Sequence, residues 1–233
     1  MKYLFIDCDL RPNSTITIDD KKDINYIVNV LRFKKDQQVL LLDGHGKYSE
    51  STLTSCHKKG VEILTTAVES QESNVNLNLY FGMPNKLPKL ELILKMGTEL
   101  GVTNFYPLNT EYSQVQSVGK LDRLEQIIKS AASQSESKQL PVLHDIQKIS
   151  DIKDQTLYVC VCRQDNQLIT DIDKFESGNI LIGPEGGLSE SDVKQIAQNN
   201  QAHFISLGKK ILRLETAGLL ALGVVMLNVS KDK

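Results

Sequence analysis

The 233-residue sequence has no apolar run approaching the ~18 residues of a membrane-spanning helix, and its opening residues lack a basic stretch followed by a long apolar core. The expected location is therefore the cytoplasm. A basic surplus is missing too: 27 Lys and Arg stand against 29 Asp and Glu, a net charge of −2 at pH 7, so any contact with nucleic acid must come from local patches. The four cysteines form no C-x-x-C pair. Cys160 and Cys162 alternate in a predicted strand and read as reduced, packed thiols, and His57 beside Cys56 makes no metal motif, so no metal is expected. The dinucleotide fingerprint G-x-G-x-x-G is absent, and Gly208-Lys209 is followed by Lys210 where a P-loop needs a hydroxyl, which disfavours NAD and ATP.

What is present concentrates between Ile180 and Ala217. Asn179-Ile180-Leu181-Ile182 reads as a buried strand, followed by Gly183-Pro184-Glu185-Gly186-Gly187 and a capping-box-like helix start at Ser189-Glu190-Ser191-Asp192. Strand, glycine loop and helix N-terminus form a ligand-binding order, because glycines let backbone groups approach a small molecule closely and Pro184 fixes one φ angle. An ordinary glycine-rich turn is the alternative for this loop alone. A second buried strand, Ala202–Leu207, ends at Gly208, so two such loops would rise from one edge of a sheet, where open α/β sheets bind ligands.

The chain before this region falls into two parts. From Met1 to Ser73, short strands surround one helical stretch in which Ile24, Ile27, Val28 and Leu31 recur, the pattern of a small β-barrel, and Gln71-Glu72-Ser73-Asn74 reads as a linker. Arg32, Lys34 and Lys35 form one basic cluster and Lys58-Lys59 another; the ordinary reading of each is a solvated surface. Residues 74–233 alternate strands with helices, which argues for a parallel sheet covered on both faces. The last helix, about Glu215 to Asn228, is apolar nearly all round and is expected to be buried.

Ile182 to Gly187, Leu207-Gly208, Ile211-Leu212-Arg213 and Glu215-Thr216-Ala217 together resemble the paired signatures of the RsmE family of SPOUT methyltransferases. The resemblance extends to Lys95–Val102, to Ala131–Ser135 and, weakly, to Val30-Leu31-Arg32 and Asp43-Gly44. It implies an α/β fold: a PUA-like RNA-binding β-barrel over residues 1–73 and a SPOUT domain with a deep trefoil knot over 74–233. The implied activity is S-adenosylmethionine-dependent methylation of uridine N3 in 16S ribosomal RNA of the small ribosomal subunit, by a homodimer whose interface uses the last helix. Cofactor-binding residues would be Ile182, Gly183, Pro184, Glu185, Gly186 and Gly187 with Leu207, Gly208, Ile211 and Leu212. Arg213 would be catalytic, its cation stabilising charge on the deprotonated uracil, with a structural salt bridge to Glu215 as the alternative. Arg32, Lys34 and Lys35 would grip phosphates. Four positions depart from the family pattern: Tyr26 replaces a histidine, Lys35 a glycine, Leu214 a threonine, and Ser137 an arginine for which the adjacent Lys138 would substitute in contacting RNA. Three other readings stay open: a SPOUT enzyme for another RNA, a non-catalytic RNA-binding or ribosome-assembly relative, and an unrelated nucleotide-binding α/β protein. No general base is evident.

Overall fold

The computed structural model describes residues 1–71, 76–113, 117–162 and 166–229. The chain divides into one unit of Met1–Ser73 with Ala132–Leu140 and a second of Asn74–Ala131 with Pro141–Lys233. The linker expected at Gln71–Asn74 lies, apart from Gln71, outside the described residues.

The first unit contains β1 (Lys2–Phe5), β2 (Thr15–Ile18), α1 (Lys21–Asn25), β3 (Gln38–Leu42), β4 (Lys47–His57), β5 (Gly60–Thr65) and β6 (Glu69–Ser70). Its sheet runs β1-β3-β4-β5-β2, with β6 on β4; β1 and β3 are parallel and the other ladders antiparallel. Strand alternation decides what each face buries. Val39, Leu41, Leu53, Val61 and Ile63 join Ile18, Ile24 and Ile27 in one core. Phe5, Leu40 and Leu42 pack on the opposite side with Ala132, and Leu140 joins them. The segment Ala132–Leu140, placed with the second domain on sequence grounds, thus belongs to the first unit: its Leu140 N–H donates to the Gly44 carbonyl at 2.9 Å.

The helical stretch of this unit is less regular than its apolar spacing predicts. Asp20 caps α1 by accepting from the N–H groups of Lys22 and Asp23 at 2.8 and 3.1 Å. Tyr26–Val30 then widens into a π turn, and the Leu31 N–H donates to the Tyr26 carbonyl at 2.8 Å. Arg32 follows in the left-handed region, at φ 55°.

The second unit contains β7 (Leu77–Gly82), α2 (Leu87–Glu99), β8 (Asn104–Asn109), α3 (Leu121–Gln134), β9 (Val142–Leu143), β10 (Gln147–Lys148), β11 (Thr156–Cys160), β12 (Gln167–Leu168), β13 (Gly178–Ile182), α4 (Glu190–Asn199), β14 (Gln201–Ser206) and α5 (Leu214–Val229). The final turn of α3 lies in the first unit's segment. Every ladder of this sheet is parallel, in the order β10-β8-β7-β13-β11-β14-β12 with β9 on β8. Near-continuous apolar strands such as β7 suit a sheet buried on both faces. One face packs Tyr80, Val159 and Leu181 against Ile149, Ile152 and Ile196 of α4. Helix α5 packs on β13, β7 and α2.

At the N-terminal ends of three adjacent strands stands a row of amides. The Asn179 side-chain N–H donates to the Thr156 carbonyl at 3.0 Å, Asn78 donates to Asn179 Oδ1 at 2.7 Å, and Asn104 donates to Asn78 Oδ1 at 2.8 Å. An amide oxygen can only accept, so His144 Nε2, 2.9 Å from Asn104 Oδ1, is the donor of that bond. The same imidazole stacks on Tyr106, which stacks on Tyr80, with ring centroids 4.2 and 4.4 Å apart.

Within the single chain, burial covers one side of α5 only. Leu219, Leu220 and Leu227 are exposed, the last by 61%, while Leu214, Ala217, Ala221, Leu222 and Val225 face inward. Sheet and α2 cover one side of α5; the far side remains apolar and open in the single chain.

Candidate functional site

The strands β13 and β14 are not neighbours. Strand β11, which precedes both in sequence, lies between them and pairs with each in parallel. Three C-terminal strand ends therefore stand side by side, and the loops leaving them enclose a cavity of about 790 Å³, within the usual size of small-molecule sites. All ten residues expected to hold a cofactor line it, and so does Arg213. The third wall comes from Cys160, Val161 and Cys162, with Lys89, Leu188, Val193, Lys210, Leu214 and Ala217 completing the lining. Sequence reasoning missed the third wall because nothing local signals that an earlier strand is inserted between two later ones.

The first loop is tightly fixed. The Gly187 N–H donates to the Pro184 carbonyl at 2.8 Å, closing a turn, and Ser189 and Asp192 exchange the two 3.0 Å bonds of the expected capping box. A Cβ on Gly183 would stand 2.8 Å from the Gly187 carbonyl carbon, and one on Gly82 would stand against the Pro184 ring, so both positions require glycine. Glu185 ties the loop to the start of α2: it accepts from Lys89 Nζ at 2.6 Å and from the Asn85 N–H at 3.2 Å. Partial burial pushes the Glu185 pKa up, but the hydrogen bonds from Lys89 and from the backbone N–H groups of Glu185 and Asn85 outweigh it, and the net shift is downward. Its carboxylate is an anchor whose acceptor positions are engaged.

Gly187 and Gly208 serve differently. Both lie at positive φ, 77° and 111°, and a Cβ on either would meet nothing within 4 Å. Two left-handed glycines facing open space in the two loops leave the backbone bare where a ligand would approach. The second loop is braced by the Gly208 N–H donating to Ser206 Oγ at 3.2 Å. Beyond it Ile211 is 87% exposed, and Arg213 is exposed with no ion pair among the described residues, so the alternative of a salt bridge to Glu215 is not formed. Burial pushes the Cys160 thiol up to about 12, with Cys162 adding to the rise, and keeps it a neutral thiol at neutral pH. Both cysteines are free, as expected of reduced thiols, but they face the cavity. Among the described residues no group of three His, Cys, Asp or Glu is placed to hold a metal ion.

The proposed RNA-contact residues belong to the first unit. Arg32, Lys34 and Lys35 are exposed and free of ion pairs among the described residues. Lys138 is instead engaged: its ammonium sits 3.5 Å from the centroid of the Tyr48 ring. Ser137, at the position of the missing arginine, donates to the Gln139 carbonyl at 2.7 Å and shapes the turn.

Residues 71–226 match the family model of the RNA methyltransferase domain, and residues 18–64 that of the RNA methyltransferase PUA domain. A Synechocystis protein named ribosomal RNA small subunit methyltransferase E is 31% identical over 225 residues, spanning 91% of this chain and 73% of its own. The chain belongs to the ribosomal RNA small subunit methyltransferase E family. A Rickettsia conorii member is 29% identical, spanning 97% of this chain and 96% of its own. The crystal structure of the Neisseria gonorrhoeae member, described as bound to S-adenosyl methionine, superposes with a TM-score of 0.83 at 27% identity and covers 95% of both chains. The family likeness makes the second unit a SPOUT α/β domain and the first a PUA-like domain.

Proposed function

We propose that this protein transfers the methyl group of S-adenosylmethionine to N3 of one uridine in 16S rRNA of the small ribosomal subunit, acting as a cytoplasmic homodimer. The observation that carries the reading is the cavity between the loops after β13, β11 and β14, in a chain that superposes over its length on a 27%-identical relative described as bound to S-adenosyl methionine. The residues fit that cofactor: Gly187 and Gly208 leave open space where side chains would stand, and the lining mixes apolar groups with bare backbone. When bound, S-adenosylmethionine supplies an electrophilic methyl group on a sulfonium. Ile182, Gly183, Pro184, Gly186, Gly187, Leu207, Gly208, Ile211 and Leu212 hold it through main-chain groups and apolar contact, and Glu185 keeps the first loop in place.

Neutral uracil carries a proton on N3, so attack requires that proton to leave and the charge to be stabilised on the flanking carbonyl oxygens. The unpaired guanidinium of Arg213 at the cavity rim suits that second task, being permanently cationic and a donor. Arg32, Lys34 and Lys35 grip phosphates of the substrate, and the binding energy offsets the few kcal/mol needed to unstack the target base. The open leucines of α5 support a second copy as their cover. The loops after β13 and β14 form the trefoil knot that the family likeness implies.

The test is methyl transfer from labelled S-adenosylmethionine to small subunits lacking native modifications, with the product nucleoside and its position read by mass spectrometry. A single 3-methyluridine in 16S rRNA is expected. Methylation of another RNA, or at another atom, would replace the reading.

A further inference from the structure

The rings of Tyr80, Tyr106 and His144 form a row that runs across the sheet of the second unit to its edge. Tyr80 of β7 and Tyr106 of β8 are partners in the ladder, and His144 follows β9 at the next position, beside Tyr106, its N–H donating to the Phe105 carbonyl at 2.9 Å. The ring planes lie 12° and 13° from parallel, so neighbouring strands carry them as a continuous stack. Exposure rises along the row, from Tyr80 at 6% to the half-buried Tyr106 and His144. Among the described residues β9 pairs with β8 alone, and its Val142 is half exposed, so the row ends where the sheet ends. No further ring among the described residues stacks on His144. That last ring is also held in one orientation: four successive hydrogen bonds run from His144 through Asn104, Asn78 and Asn179 to the Thr156 carbonyl, tying it to β8, β7, β13 and β11. Burial lowers the His144 pKa and keeps the ring neutral at neutral pH. Covering a sheet edge needs only an apolar side chain; a flat ring fixed through four strands is a surface ordered in advance for a flat partner.

We propose that the face of His144 turned away from Tyr106 is a stacking platform for one unpaired nucleobase of the RNA substrate, a binding site on the second unit separate from the cofactor cavity; this rests on the RNA-methylation reading above. His144 does not line the cavity, and β8 and β7 lie between β9 and the first of the three strands whose loops enclose it. A base arriving there becomes the fourth member of the row, in the near-parallel arrangement in which single-stranded bases stack on aromatic side chains. Every base has a π face, so the platform adds affinity without choosing a sequence. It complements the phosphate contacts of Arg32, Lys34 and Lys35, which respond to charge and not to the base.

The test uses the full-length protein and small subunits lacking native modifications. His144→Leu should weaken equilibrium binding of the subunits by about 5- to 150-fold, the worth of one stacked base. In steady-state assays the loss should appear as a raised KM with kcat at saturating subunits kept, and calorimetric affinity for S-adenosylmethionine should not change. His144→Phe should recover most of the binding, because it restores a flat face while still lacking the bond to Asn104. A purely structural role would impair both variants alike, since both lose that bond. A readout on the parent chain needs no substitution: diethyl pyrocarbonate should modify His144 in the free protein, and bound subunits should protect it, as read by mass spectrometry. Parent-like binding by His144→Leu, equal loss in the two variants, loss of cofactor affinity, or a His144 that is unreactive when free or unprotected when bound would each overturn the platform. Any of these beside normal formation of 3-methyluridine would leave the functional reading standing. Absence of 3-methyluridine with the parent chain would overturn that reading, and this inference with it.

Discussion

Replacing Gly183 with alanine tests whether the first loop is built to one backbone geometry. The added Cβ would stand 2.8 Å from the Gly187 carbonyl carbon, 3.0 Å from the Leu188 nitrogen and 3.1 Å from Leu188 Cγ. Ordinary contact for a Cβ begins near 3.4 Å, so the main chain at Gly187–Leu188 must retreat by roughly 0.6 Å, the difference between 3.4 and 2.8. That retreat pulls on the 2.8 Å turn bond between Gly187 and Pro184. Forcing extra volume into a packed site costs about 1–3 kcal/mol. If the ligand needs the original loop, the same energy is lost from binding, and affinity for S-adenosylmethionine falls by roughly 5- to 150-fold. Titration calorimetry measures the affinity and a thermal melt the stability. Gly60→Ala is the control, since its Cβ would meet only the Ile18 carbonyl at an ordinary 3.7 Å. Calorimetry in which Gly183→Ala and Gly60→Ala both bind as the parent does would refute the argument that loop shape sets the site.

Arg213→Ala should reduce methyl transfer by about 10²–10³-fold with cofactor affinity nearly unchanged, and single-turnover assays beside calorimetry would reveal unimpaired turnover if the guanidinium is idle. Lys89→Met removes the 2.6 Å bond to Glu185 in a pair whose side chains are each 28% exposed, so a loss of about 1 kcal/mol, or roughly fivefold in cofactor affinity, is expected. For His144, burial lowers the pKa and nearby Asp145 opposes it weakly. The unfolded chain therefore binds the proton more readily, so the stability from the neutral ring is fully present above the ordinary histidine value and is lost as pH falls through the folded-state value. Melting temperatures between about pH 4 and 8 should change less in His144→Phe, which keeps a ring to stack on Tyr106 but cannot titrate; an identical pH profile would count against this account.

The two cavity loops were legible because each is a strand followed by glycine, and Ser189-Glu190-Ser191-Asp192 announced the helix that follows. The strands Asn179–Ile182 and Ala202–Leu207 and the helix Glu215–Asn228 were also legible within a residue or two, since apolar periodicity is local. Spatial order is not local. That β11 lies between β13 and β14 depends on crossovers that no neighbouring residues encode, so Cys160 and Cys162 read as ordinary packed thiols although they form a cavity wall. The π turn at Tyr26–Val30 escaped for a different reason: apolar spacing over one turn does not separate α from π winding. Lys138 resembled a spare cation because the aromatic ring beneath it comes from a residue ninety positions earlier, Tyr48.

The return of Ala132–Leu140 to the first unit has a consequence for how such proteins can be recombined. A chain joined to a relative by a single crossover at the 73/74 boundary would acquire a foreign partner for Phe5, Leu40 and Leu42, because Ala132 and Leu140 arrive from the other parent. Functional chimeras therefore require a second exchange covering residues 132–140. The two units of the chain are inherited as interleaved segments, so sequence drift in Met1–Ser73 and in Ala132–Leu140 is coupled.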